Sequence, residues 1–353
     1  LPQRQPRQLI GMFPWVDCFV GIDQIPNIPQ LILEGTRPGN VKVTSPASWN
    51  PGSEFPRFLS TPPHYAYLRI AEGCSNRCSY CTVPLIRGPL RLRNPKDIIH
   101  EACSLVSLGV REIILIAQDT AAHPELKKIL QGLNDIEGLR WIRLLYAHPR
   151  HLDEDILEQI VSLDKVLNYL DMPVQHLASP VLERMNRQID SQRINDLVNR
   201  ARSLDKDFSI RTTVITGLPG ETEGEFKILL EGLERLRFTN LGIFIYSRED
   251  STVAADMPDQ IPLRVKEQRA LKLIDLAERL RTEEIKKLKG SMKDAVVDFT
   301  DEGEIIGRLW SDAPEIDRIL EITEKDVDEG TFGRVKITGG KHDSLFARWI
   351  ESV

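Results

Sequence analysis

The chain has 353 residues, 41% hydrophobic and 28% charged, the balance of an ordinary globular protein and far from disordered, collagenous or disulfide-dense compositions. At roughly 150 residues per domain it has room for two or three domains. Its 46 Lys and Arg against 52 Asp and Glu leave a net charge of −6, so no chain-wide positive excess exists to grip phosphates, and a basic partner suits it better than a nucleic acid.

Residues 1–8 are polar, carry two Pro and two Arg and begin without Met, which reads as a cut end rather than a leader. Between Pro26 and Pro63 fall eight of the 22 prolines, a density that regular helix and central strand do not tolerate, and 26–62 is expected to be a linker. From residue 63, short β-branched runs alternate with helical patterns. The spacing predicts strands at 66–70, 112–117, 141–147, 167–172, 209–215 and 241–246. The helices between them are amphipathic: Ile194, Leu197, Val198, Ala201 and Leu204 hold one buried face. Such alternation predicts a parallel α/β sheet, either doubly wound or closed into a six-stranded partial barrel over 63–288, ending in a long helix at 263–288. Residues 289–353 change character. Five strands are expected at 295–299, 305–309, 319–322, 331–337 and 345–350, punctuated by Gly303, Gly330, Gly339 and Gly340, and five short strands bury their faces best as a small closed barrel. No apolar run approaches the ~20 residues needed to span a bilayer.

Five cysteines, at 18, 74, 78, 81 and 103, are an odd number in a long chain and suit a reducing cytoplasm better than a secreted disulfide framework. Three of them form Gly73-Cys74-Ser75-Asn76-Arg77-Cys78-Ser79-Tyr80-Cys81, directly after the first strand of the α/β unit. Three thiolates spaced CxxxCxxC in one loop suit three irons of a 4Fe-4S cubane, leaving the fourth iron open to a ligand. The competing reading is a structural zinc site, which needs a fourth ligand such as His64 or His100, in a zinc-stabilised RNA-binding protein. Cys18 and Cys103 read as small hydrophobes.

The cysteine loop resembles that of the radical S-adenosylmethionine (SAM) superfamily, from about Pro63 to Leu288. The resemblance implies a partial (βα)6 barrel in which the SAM methionine group chelates the open iron and an electron releases a 5′-deoxyadenosyl radical. Further motifs narrow it: Ala117-Gln118-Asp119-Thr120 after the second strand, Met172-Pro173-Val174-Gln175-His176 with Met185-Asn186-Arg187 after the fourth, and Arg211-Thr212-Thr213 through Gly217-Leu218-Pro219-Gly220 on the fifth. Singly each has a bland reading, such as helix capping by Asp119 or a Thr222/Glu225 capping box. As an ordered set they resemble the methylthiotransferases. The C-terminal barrel resembles that family's OB-like TRAM domain, and Gly307-Arg308-Leu309-Trp310-Ser311-Asp312-Ala313-Pro314-Glu315-Ile316-Asp317 resembles the branch that modifies an aspartate of small-subunit ribosomal protein S-twelve.

On this resemblance Cys74, Cys78 and Cys81 hold the cluster, while Tyr80, Gln118, Asp119, Arg211, Thr213 and Gly217 line the SAM pocket. The expected activity is methylthiolation of the aspartate β-carbon, with a flavodoxin or ferredoxin as electron donor. A transfer-RNA adenosine methylthiotransferase is the alternative enzyme. The C-terminal region, 287–353, carries ten Lys or Arg against fifteen Asp or Glu, which repels RNA and attracts a basic ribosomal protein; Asp312, Glu315 and Asp317 are expected to dock it. Residues 1–25 resemble the tail of the family's N-terminal domain, whose three cysteines hold a second 4Fe-4S cluster and would end just before Leu1. A chain lacking that domain is expected to cleave SAM without delivering sulfur. The sequence also departs from the family in running from Thr120 into Ala121-Ala122-His123-Pro124 without a Tyr-Gly, and in Leu92 within the basic run Arg87 to Arg93. That run, with Arg77, suits either an anionic cluster or a solvated surface, and His148 and His176 read as structural more than catalytic.

Overall fold

The computed structural model describes residues 2–37, 39–43, 46–55, 57–301, 303–323 and 327–353. Leu1, Pro38 and Pro56, and the charges of Glu302, Glu324, Lys325 and Asp326, lie outside the described residues.

Six strands, β1 (Tyr65–Arg69), β2 (Glu112–Ile116), β3 (Trp141–Leu144), β4 (Val166–Asp171), β5 (Ser209–Thr216) and β6 (Asn240–Ile245), form one sheet in sequential order, every pair parallel. Sequential order has no reversal point, so the sheet is the partial barrel and not the doubly wound alternative. Its outer face carries Leu68, Ile113, Leu115, Ile142, Leu170, Ile210 and Val214, all buried in the principal core. Against them pack the apolar faces of α1 (Pro95–Ser107), α2 (Leu126–Asn134), α3 (Glu154–Ser162), α4 (Ser191–Leu204) and α5 (Glu223–Leu236). Four of these starts are fixed by side chains that satisfy orphan backbone N–H groups. Asn94, Asp153 and Asp190 cap α1, α3 and α4, and Thr222 with Glu225 forms the anticipated capping box of α5.

The long helix α6 spans Leu263–Leu288 as expected, and its Ile285 enters the core of the next unit. There, β7 (Met292–Asp301), β8 (Glu304–Leu309), β9 (Ile319–Ile322), β10 (Phe332–Lys341) and β11 (Ser344–Ser352) close into a barrel of order 7-8-9-11-10, with β9 and β11 parallel and the other pairs antiparallel. Gly307 is required by this closure, since a Cβ there would lie 2.2 Å from the Val296 carbonyl oxygen.

The expectation of an irregular linker across 26–62 is corrected. Ile28–Glu34 is helical, and Asn40–Lys42 pairs in parallel with Cys18–Val20. Pro29 sits in the helix's first turn, where a missing N–H breaks no bond, so proline density there marks a start and not an interruption.

The two large units are joined by charge inside an apolar seam. The segment following β8 tucks into the inner face of the parallel sheet, where Ala313 and Trp310 pack with Tyr65, Ile114, Leu145 and Tyr169. At its edge Glu112 of β2 is fully buried between two guanidinium groups: Arg143 Nε of β3 at 2.8 Å and Arg308 Nη2 of β8. Burial alone would raise the Glu112 pKa, but Arg308 and Arg143 hold it below the ordinary carboxylate range. Arg143 also donates to the Trp310 carbonyl oxygen at 2.9 Å and stacks over Tyr169, while Arg308 lies over Tyr65 and Trp141.

This seam also corrects the placement of the acidic residues expected to dock a partner. Asp312 is fully buried and held by Arg318 at 2.8 Å; Asp317 accepts from the Tyr169 hydroxyl at 2.7 Å and from the Ala313 N–H at 2.9 Å. Only Glu315 is exposed, accepting from the Tyr65 hydroxyl at 3.1 Å. Two of the three carboxylates therefore serve internal partners. The seam yields a first prediction. Glu112→Gln leaves the buried Arg143 without a carboxylate and Arg308 with Asp298 alone, and is expected to lower unfolding stability by about 3–5 kcal/mol. Denaturant titration beside Glu234→Gln, which breaks an exposed pair with Arg279, is expected to show only a small loss in that control.

Candidate active site

The C-terminal ends of the parallel strands gather the predicted chemistry. The cysteine loop leaves β1 through Ala71–Glu72, which pairs with Arg91–Leu92. Gly73 holds φ +78, and a Cβ there would lie 2.1 Å from the Pro89 carbonyl oxygen, so the loop turns only because this residue lacks a side chain. Backbone bonds then fix it: the Cys74 N–H donates to the Gly88 oxygen, and the Ser79 N–H to the Met185 oxygen. Cys74, Cys78 and Cys81 are free and half-buried. Burial pushes the Cys74 thiol up and the Cys81 thiol to about 11, so in the metal-free chain they remain protonated at neutral pH.

Zinc places three thiolates about 3.8 Å apart, from bonds of about 2.3 Å in tetrahedral geometry. Among the described residues no three cysteines come within 4.8 Å; the trio that does is Asp119, His148 and His151. His64, a proposed fourth zinc ligand, pairs instead with Asp298 at 2.8 Å, at the opposite end of β1.

Asp119 is the hub beside this loop. It is buried and accepts from Asn76 Nδ2 at 2.7 Å and the His148 N–H at 3.2 Å, and its Oδ2 lies 2.7 Å from His151 Nδ1. Cys74, Asn76, Asp119, Arg150 and His151 line a cavity of about 200 Å3. His148 stays neutral, its pKa pulled to about 2 by burial and by Arg187. Its Nδ1 accepts from the Arg150 N–H, while its buried Nε2 has no partner among the described residues.

Arg187 is the residue that sequence reasoning left without a role. It is buried, donates to Cys78 Sγ at 3.6 Å and to the Pro173 carbonyl, and among the described residues its Nε has no partner. Its only sequence signal was its place in Met185-Asn186-Arg187. The basic run Arg87 to Arg93, by contrast, is spent structurally: Arg87 pairs with Glu72, Arg91 binds four backbone carbonyls, and Arg93 pairs with Asp97 and Glu101. His176 is structural, accepting from the Ala178 N–H and lying 3.4 Å from Glu221. Cys103 lies on α1 but is exposed and touches none of this.

Of the residues expected to bind SAM, Tyr80, Gln118 and Asp119 stand near the cysteine loop. Tyr80 packs with Met185 and Leu218, and burial raises its phenol pKa. Gly217 holds φ +83 at the end of β5, packed against Lys266. Arg211 and Thr213 stand apart, deeper on the inner face: Arg211 Nη1 donates to Thr213 Oγ1 and Asp171, and its Nε lies 3.2 Å from Asp317. The donor set fits a polar cofactor held against a cluster. Gln118 Oε1, Gln175 Oε1, His148 Nε2 and Arg187 Nε are all buried without a partner among the described residues. Unfavourable backbone concentrates here too, with positive φ at Arg77, Tyr146, Gln175 and Asn186.

Comparison with known proteins decides the family. Residues 68–233 match the Radical SAM superfamily and residues 290–350 the TRAM domain. The ribosomal protein uS12 methylthiotransferase RimO of Geobacter sulfurreducens is 40% identical over 99% of this chain and 81% of its own length. The protein of that name from Pelotomaculum thermopropionicum is 38% identical over 98% of this chain and 80% of its own. The chain belongs to this methylthiotransferase family. Among solved structures, a cobalamin-dependent SAM radical enzyme, OxsB, with aqua-cobalamin and S-adenosylmethionine bound, shares the fold at TM-score 0.50 and 14% identity, covering 79% of this chain and 42% of that one. Membership makes the chain a radical SAM methylthiotransferase, and its second domain is the expected TRAM barrel. No described helix is long and apolar enough to cross a membrane.

Gly73 supplies the prediction for this site. Gly73→Ala cannot keep both its φ and its distance from Pro89, so anaerobically reconstituted protein is expected to lose most of its iron while α6 and the C-terminal barrel stay folded. Iron analysis and circular dichroism read the two effects separately.

Proposed function

We propose that Cys74, Cys78 and Cys81 hold a 4Fe-4S cluster with one open iron, that SAM binds beside it, and that the enzyme methylthiolates the β-carbon of an aspartate in ribosomal protein uS12. The observation that carries this reading is the 40% identity over 99% of the chain to a relative of that name, together with a three-cysteine loop at the C-terminal end of the first barrel strand. When bound, the cluster and SAM supply one-electron chemistry able to abstract hydrogen from an unactivated carbon.

The chain's own residues provide the setting. Arg187, held against Cys78 Sγ, balances negative charge that thiolates and sulfides bring into a buried place. Gln118, Gln175 and His148 offer buried polar atoms to a nucleoside and an amino acid group. Asp119, fixed by Asn76 and His151, orders the two loops that would flank SAM. Trp310 and Ala313 pack against the sheet's inner face from below and close that part of it to water that would quench a radical. The electron donor belongs to the flavodoxin or ferredoxin class, and a second 4Fe-4S cluster is part of the sulfur-delivering reaction as the family performs it. The acidic charge of the C-terminal region disfavours transfer RNA as substrate.

Iron and sulfide analysis after anaerobic reconstitution tests the reading. Cys78→Ala is expected to abolish cluster loading and the paramagnetic signal that SAM perturbs, whereas Cys103→Ala leaves both intact. Equal iron in Cys78→Ala and the parent would contradict the assignment.

A further inference from the structure

A second polar cavity lies on the inner face below the cysteine loop, at the open edge of the partial barrel beside β6. About 340 Å3 in volume, it is lined by Arg211, Asn240, Gly242, Glu315, Asp317 and Asp343, with Arg281 and Arg318 at its wall. Arg281 is tied to Asp343, and Arg318 to Asp312 through Nε and Nη2. Arg211 is held differently. Asp171 and Thr213 take its Nη1, Asp317 of the C-terminal unit lies at its Nε, and among the described residues its Nη2 meets no acceptor.

That free nitrogen faces β6. A Cβ on Gly242 would stand 3.7 Å from Arg211 Nη2 and 3.2 Å from Thr213 Oγ1. Gly242 does not have a positive φ, so the backbone does not demand glycine there; the missing side chain instead leaves space in front of the guanidinium. The mouth is acidic, with Glu315 and Asp343 exposed, and on the floor Arg211 is flanked by Asp171 and Asp317 with only Nη2 left to a further acceptor. Such a rim suits an otherwise basic polypeptide, and the remaining nitrogen can donate to one carboxylate that it carries.

We propose that Arg211 receives the carboxylate of the substrate aspartate through Nη2, that Gly242 keeps its approach open, and that Asp317, supplied by the C-terminal domain, positions the guanidinium from behind. Arg211 thus reads the substrate and not SAM, and the C-terminal barrel takes part in choosing the reacting residue. The inference rests on the proposed uS12 substrate.

The test uses reconstituted protein and two synthetic peptides spanning the target aspartate of uS12, one with Asp and one with Asn at that position. The parent is expected to prefer the Asp peptide by about tenfold or more, the scale of one charge-assisted hydrogen bond. Arg211→Gln and Gly242→Val are each expected to erase the preference while SAM affinity stays at the parent value. Gly242→Val retains the Arg211 charge and its carboxylate partners Asp171 and Asp317, so it remains informative if Arg211→Gln disturbs the fold. A preference kept in the folded variants, or a loss of SAM affinity that parallels the loss of peptide binding, would overturn the assignment. Failure of the parent to bind full-length uS12 would instead overturn the substrate reading, and the inference with it.

Discussion

One buried carboxylate joins the two halves of this protein. Glu112 has no access to water and faces Arg143 of its own sheet and Arg308 of the C-terminal barrel. A lone carboxylate there would be expelled by its desolvation penalty, so Glu112 persists only with its two guanidinium partners, and Arg308 is further paired with Asp298 at 3.0 Å. The aromatic faces of Tyr65, Trp141 and Tyr169 complete the solvation of the cations that Glu112 cannot reach. Because Arg308 ends one barrel strand and Trp310 begins the segment that plugs the sheet, this arrangement fixes where residues 310–318 lie. The position of Asp317 against Arg211 follows from it.

The geometry divides labour along the barrel axis. At the strand C-termini the cysteine loop, the Asp119 hub and Arg187 form the setting proposed for a cluster and its ligand. Lower on the same inner face, Asp171, Arg211 and Asp317 form a second charged set that opens sideways past Gly242. Burial raises the Asp171 pKa, and burial with the neighbouring Asp312 raises that of Asp317 to about 6, while against burial the charges of both carboxylates raise the pKa of the guanidinium between them. Asp171 and Asp317 orient Arg211 at Nη1 and Nε, which leaves Nη2 to a further acceptor.

Much of this was legible in the sequence because it depends on local patterns. Period-two and 3.6-residue hydrophobicity located all six parallel strands, the five barrel strands and the ends of α6, and the cysteine spacing marked the loop proposed to hold the cluster. Sequential strand order could not be read, since a doubly wound sheet has the same alternation. The helix at Ile28–Glu34 was missed because proline was counted without regard to its position in a turn. Asp312 and Asp317 were misplaced for a different reason: an acidic loop in an acidic domain looks solvated, and the partners that bury Asp317, Tyr169 and Arg211, lie on distant strands. Arg187 gave no signal of its own, because only the fold brings it against Cys78.

A double-mutant cycle between Glu112 and Arg308, using Glu112→Gln, Arg308→Met and the pair, tests most directly whether the two units are held as one by this buried charge. The account predicts that the double variant loses less stability than the sum of the single variants, with a coupling of at least about 1 kcal/mol in denaturant unfolding. Additivity of the two losses within about 0.5 kcal/mol would contradict it.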